Sequence, residues 1–162
     1  MKEPQYGVNP LWKFLTSNYE IGETFSLFGP YSGANIKISE GSYPGKSIIS
    51  SMELIPSNLN YVGTHFGGSL YSMCDPFFML LLIRALGDAY IVWDKSSTID
   101  FLKPGYGKVS AMFYIPDEEI ETIKKELETK RKMDKEYFAE VKDENGQVVA
   151  RVKKILYIRK KK

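Results

Sequence analysis

Apolar and polar positions repeat with two different periods along this chain, and the changes of period mark its elements. Asn9-Pro10 reads as a helix N-cap with proline in the first helical position. The LWKFLTS that follows is expected to form a short helix burying Leu11, Phe14 and Leu15. From Ala34 to Ile38 the period drops to two, with Ala34, Ile36 and Ile38 set against Asn35 and Lys37. After the turn GSYPG, Ile48, Met52 and Leu54 share a face, so two strands with a tight connection are predicted. The run PFFMLLLIRALG is apolar nearly all round. It predicts a helix buried on most sides, with Gly87 as its C-cap.

Alternation then returns. Ile91, Trp93, Ile99 and Phe101 fall on one face until Pro104 and Gly105 end the run, and Val109, Ala111, Phe113 and Ile115 share a face of the next strand. Pro116-Asp117 opens EEIETIKKELETKRK, whose apolar stripe is only Ile120, Ile123 and Leu127. Glu121/Lys125 and Glu126/Lys130 stand at i,i+4, so this is a surface helix with a solvated charged face. YFAEVKDENGQVVARVKKILYI is a hairpin about Asn145-Gly146. The order predicts an α+β fold over residues 1–162 as a single domain. It has an N-terminal helix, an antiparallel sheet wrapped around one long apolar helix, and an exposed helix inserted before the last hairpin.

Composition narrows the function classes. The 162 residues are 43% hydrophobic and 26% charged, with a net charge of +2 that is too balanced for a nucleic-acid binder. The basic RKKK tail reads as a solvated terminus. One cysteine excludes an internal disulfide and fits a reducing, cytoplasmic compartment; one cysteine and one histidine also argue against a zinc site. MKEPQYGVNPLWKF lacks the apolar region of a signal peptide. FFMLLLIRALG contains Arg84 and is too short to span a bilayer.

The chemistry-bearing segment is NYVGTHFGGSLYSMCD, residues 60–75, which holds the only histidine and the only cysteine. It resembles the signature of hotdog-fold acyl-CoA thioesterases of the phenylacetic-acid-degradation type. That signature has an Asn and a Gly leading to His-Gly-Gly, then an Asp seven residues after the second Gly. Asn60, Gly63, His65, Gly67, Gly68 and Asp75 supply these residue types, with Phe66 standing between His65 and the glycines. STIDFLKPGYGKVSA resembles the strand that follows the helix in that family. The nearest likeness is to thioesterase-like proteins catalogued as a domain of unknown function.

The resemblance implies a curved antiparallel sheet around a central helix, thioester hydrolysis, and dimers that share their sites. It implies Asp75 as nucleophile or general base, and His65 and Asn60 orienting the thioester carbonyl or the water. The Gly67 and Gly68 amides at a helix start would stabilise the oxyanion. A helix starting near Gly68 puts Asp75 about 10 Å from those amides, so a second subunit would supply one of the two. Tyr71, Phe78, Met79 and Leu82 would line an apolar acyl cleft suited to medium or long chains, and Lys103 and Lys108 would hold coenzyme A phosphates. No cofactor is expected, coenzyme A being part of the substrate. Simpler roles stay open. Asp75-Pro76 is a good helix cap with proline behind it, Asn60 a turn former, and the glycines a tight helix entry. Cys74 suits a small buried position, and the apolar stripe suits core. A catalytically silent hotdog protein that binds acyl-CoA or lipid is the alternative function.

Overall fold

The computed structural model describes residues 9–161. Three short helices come first: α1 (Pro10–Asn18), α2 (Ile21–Ser26) and α3 (Gly29–Ala34). Asn9 caps α1 as expected, its Oδ1 accepting from Leu11 N–H. Leu11 and Phe14 are nevertheless exposed and Leu15 only half-buried, so the expected burial of this helix is corrected. Trp12 turns inward instead, onto Phe25 at 5.2 Å between ring centroids. The helices α2 and α3 went unread because neither is long enough to show a period. Asn35 takes the left-handed conformation that ends α3, and β1 (Ile36–Glu40) starts after it, two residues later than Ala34.

The strands β1, β2 (Ser47–Glu53), β3 (Tyr90–Phe101), β4 (Lys108–Tyr114), β5 (Lys132–Asp143) and β6 (Val148–Lys160) form one curved antiparallel sheet. Their order is β1-β2-β4-β5-β6-β3. The β5–β6 hairpin turns at Asn145-Gly146, Gly146 having φ +75°. Val109, Ala111, Phe113 and Ile115 are all buried, as their alternation predicts. β3 departs from its prediction. Its pairing with β6 slips by one residue between Asp94 and Ser96, which changes which residues face inward. Val92 is buried, whereas Trp93 and Phe101 are exposed.

The apolar helix lies against the concave face in two pieces, α4 (Gly67–Ser72) and α5 (Phe77–Leu86). Pro76 has no N–H to continue α4, and the Asp75–Pro76 bond is cis. Taken end to end, Gly67–Leu86 is long and apolar enough to pass for a membrane-crossing helix, longer than the stretch read after Pro76. Here it is broken and serves as core. Phe77 and Phe78 sit 5.0 and 5.2 Å from the Phe113 ring, Phe78 stacks on Tyr137 at 4.9 Å, and Phe25 and Tyr31 close over Phe77. Gly87 ends α5, its N–H donating to Ile83. The helix α6 (Asp117–Thr129) buries Ile120, Ile123 and Leu127 as expected. Glu126 pairs with Lys130 at 2.7 Å, but Glu121 meets Lys124 at i,i+3 instead of Lys125.

Phe113 joins both rings of the helix to the sheet. Phe113→Ala should destabilise the fold by about 3–5 kcal/mol, read from the denaturant midpoint at constant slope.

Candidate functional site

The loop before α4 is built by Asn60. Its Oδ1 accepts from Val62 and Thr64 N–H, both at 3.0 Å, while its Nδ2 donates to Thr64 Oγ1 at 2.7 Å and His65 O at 3.2 Å. Gly63 takes φ +84°, a conformation open to glycine, and its N–H closes the turn onto Asn60 O at 3.1 Å. The Asn60 amide is therefore fully used within its own loop.

His65 ties this loop to the one before β4. Its backbone N–H donates to Gly105 O at 3.1 Å, and its ring Nε2 meets Gly107 O at 2.9 Å. A carbonyl only accepts, so Nε2 carries the proton and Nδ1 is left as a lone-pair acceptor. That Nδ1 is buried and has no partner among the described residues. Burial lowers the imidazole pKa, with the Gly107 carbonyl partly offsetting it. A neutral ring in this tautomer can accept from a water but cannot donate to a thioester carbonyl through Nδ1.

Gly67 and Gly68 open α4. The first intrahelical bonds run from Ser69 and Leu70 to Phe66 O, so the glycine amides have no intrahelical partner. A Cβ at Gly67 would fall 2.8 Å from Phe101 Cζ, and one at Gly68 would fall 2.4 Å from Phe66 Cε1. Two half-exposed aromatic rings thus rest on the glycines, and larger residues would displace them.

Asp75 lies at the break between α4 and α5. It is not the cap of α5: Pro76 holds that position, without a side-chain cap bond. The Asp75 carbonyl accepts from the Tyr31 hydroxyl. Its Oδ1 pairs with the ammonium of Lys154, which also stands 3.2 Å from Asp94 Oδ1 and 5.8 Å from the Tyr71 ring centroid. Lys154 is 1% exposed at its side chain, Asp94 23% and Asp75 42%, so the cation is interior and Asp75 reaches the surface. Burial opposes the Lys154 charge, but its two carboxylates outweigh that and hold its pKa above the usual lysine value. Burial pushes Asp94 up, with Lys154 pulling against it. An ammonium therefore faces the Asp75 carboxylate. Cys74 is buried, its thiol pushed up to about 12 by burial, and is no nucleophile.

The remaining candidates divide. Phe78 and Leu82 are buried in the core, which corrects their expected place in an acyl cleft; Tyr71 and Met79 are half-buried. Lys103 is ion-paired with Asp143 at 2.9 Å and donates to Gln147, while Lys108 is exposed. An open cleft of about 490 Å³ lies beside Lys103, lined also by Tyr106, Asp143 and Asn145. Sequence reasoning missed Lys154 and Asp94. A signal existed: Lys154 stands in the inward phase of β6, between buried Val152 and Leu156.

Residues 33–158 match the family described as a domain of unknown function, DUF4442, and the chain belongs to that family. No curated protein matches it. Among solved structures it is similar to a Pseudomonas aeruginosa protein of unknown function that bears the name "Probable Thioesterase". That likeness has 20% identity and TM-score 0.70 over 79% of this chain and 85% of that one. A thioesterase from Haemophilus influenzae aligns at 14% identity and TM-score 0.60, over 84% and 86%. A Chlorobaculum tepidum protein of unknown function aligns at 22% and 0.64, over 86% and 92%. At these identities the likenesses establish the fold, the hotdog arrangement of a curved antiparallel sheet around a central helix.

His65 makes the site sensitive to acid. Its folded pKa lies below its unfolded value of 6.5, so its contribution to stability is present above that value and is lost as pH falls through the folded pKa. The chain's single imidazole resonance should titrate below 6.5 in the native state. His65→Gln should lose less stability than the wild type between about pH 7.5 and about pH 5, measured by denaturant unfolding.

Proposed function

We propose that this DUF4442 member hydrolyses acyl thioesters such as acyl-CoA, with Asp75 as general base or nucleophile. One observation carries the reading. Asp75 caps neither helix, yet it is held at the break of the central helix with 42% of its side chain exposed. The amides of Gly67 and Gly68 would stabilise the oxyanion. Asn60 and His65 act through the loop they hold, with His65 Nδ1 able to accept from a water.

Asp75 and the glycines belong to opposite ends of α4, a span of about 9 Å. Two copies would bring the glycines of one to the Asp75 of the other. β3 supports a homodimer or a dimer of dimers. It is 12 residues long, lies at the edge of the sheet and, among the described residues, pairs only with β6. Light scattering at micromolar concentration should show no monomer.

Medium or long acyl chains suit the half-buried Tyr71 and Met79 and the exposed Phe66 and Phe101 rings at the glycines, side chains with little to pair a polar acyl substituent. Of the two lysines proposed for the coenzyme phosphates, Lys108 has its ammonium free of the pairing that occupies Lys103. A second reading is a silent protein that binds acyl-CoA or lipid. It is favoured by the pairing of Asp75 with Lys154 and by the two rings on the glycines.

Free-thiol release across straight-chain acyl-CoAs from acetyl to palmitoyl separates the readings. Turnover over Michaelis constant should rise with chain length and then level off. Asp75→Asn should remove about 100-fold or more of kcat with little loss of melting temperature. Binding without thiol release would establish the silent reading, and full turnover in Asp75→Asn would remove Asp75 from the chemistry.

A further inference from the structure

Among the described residues, Lys154 is the only lysine that the fold buries. A side chain needed there only to fill space would be apolar, since an interior ammonium is unfavourable unless carboxylates surround it. Two do, and they come from different elements: Asp94 from β3 and Asp75 from the break between α4 and α5. Asp75 Oδ1 is engaged, while Asp75 Oδ2 accepts no hydrogen bond among the described residues. An aspartate has two side-chain torsions, so fixing one oxygen fixes the other.

The geometry points to Lys154 as the positioning residue of the site: it grips Oδ1 of Asp75 from the sheet and leaves Oδ2 to meet water or thioester. The inference rests on the proposed role of Asp75 and concerns how that carboxylate is held. The titratable groups around it are Asp94 on β3, Lys154 on β6, Tyr71 and Cys74 on and after α4, and Tyr31 on α3. Tyr31 and Cys74 are both pushed upward by burial and stay neutral, and Tyr71 offers its ring face. Lys154 is therefore the only cation in this set, and removing it leaves two carboxylates facing each other.

The test reads Asp75 directly as well as through activity. In Lys154→Met, the Asp75 carboxyl carbon resonance, assigned by its loss in Asp75→Asn, should leave its wild-type position at constant pH, because the hydrogen bond from Lys154 to Oδ1 is gone. Octanoyl-CoA hydrolysis should lose about tenfold in kcat with little change in KM, and the acidic limb of its pH profile should move. Lys154→Arg keeps the charge and should restore the resonance position and most of kcat. Where Lys154→Met does not fold, Lys154→Met with Asp94→Asn replaces it, since that pair strands no buried carboxylate. An unmoved Asp75 resonance in whichever variant folds overturns the positioning role, as does full kcat in that variant when Asp75→Asn is inactive. Both results leave the base role standing. Full activity in Asp75→Asn overturns the base role instead, and the carboxyl resonance then decides alone whether Lys154 holds Asp75.

Discussion

A lysine ammonium stays charged inside a protein only where opposite charge meets it, and Lys154 is 1% exposed. Its place on β6 is fixed by the hairpin with β5 and by the pairing with β3. The carboxylates must therefore come to it. Asp94 arrives from the neighbouring strand, just before β3 slips by one residue. Asp75 arrives from the central helix, and it does so where Pro76 interrupts the helical hydrogen bonds. Tyr31, from the N-terminal helices, secures the same turn by donating to the Asp75 carbonyl. Sheet, broken helix and helical layer thus converge on one buried charge.

That convergence explains why the site was only half legible. Local pattern was enough where the partner was near or where any apolar partner would serve. The inward row of β4, the three-residue stripe of α6 and the Asn145-Gly146 turn all follow from period and turn chemistry, and all form as read. Asn60 announced a turn and makes one. Asp75 was different. Its sequence neighbours pointed to a capping carboxylate, whereas its partner lies 79 positions away. A pairing at that separation leaves no trace in a window of ten residues. β3 failed for a related reason. A bulge preserves composition while reversing which residues face inward, so Trp93 and Phe101, in phase by sequence, end on opposite faces. Trp93 points away from the buried side of Val92, and Phe101 shares the face of Ile99 yet stays exposed beside Gly67. Leu11 and Phe14 failed because an apolar spacing at helical period says that a face exists, not that anything covers it.

The charge balance of the cluster also constrains how a substrate would approach. Two carboxylates and one ammonium leave one net negative charge, and the exposed share of it belongs to Asp75. A phosphate brought close would be repelled, while a neutral thioester carbonyl would not. Under the proposed reading an acyl-CoA would then lie only one way round. Its reacting carbon would meet Asp75 and a glycine corner flanked by the Phe66 and Phe101 rings, and its phosphates would stay at a distance, toward basic side chains such as Lys108. A carboxylate that repels the charged end of a ligand and is tethered from within is more useful for choosing orientation than for affinity. In the proposed reading, binding energy from the apolar and phosphate ends would go into placing the thioester.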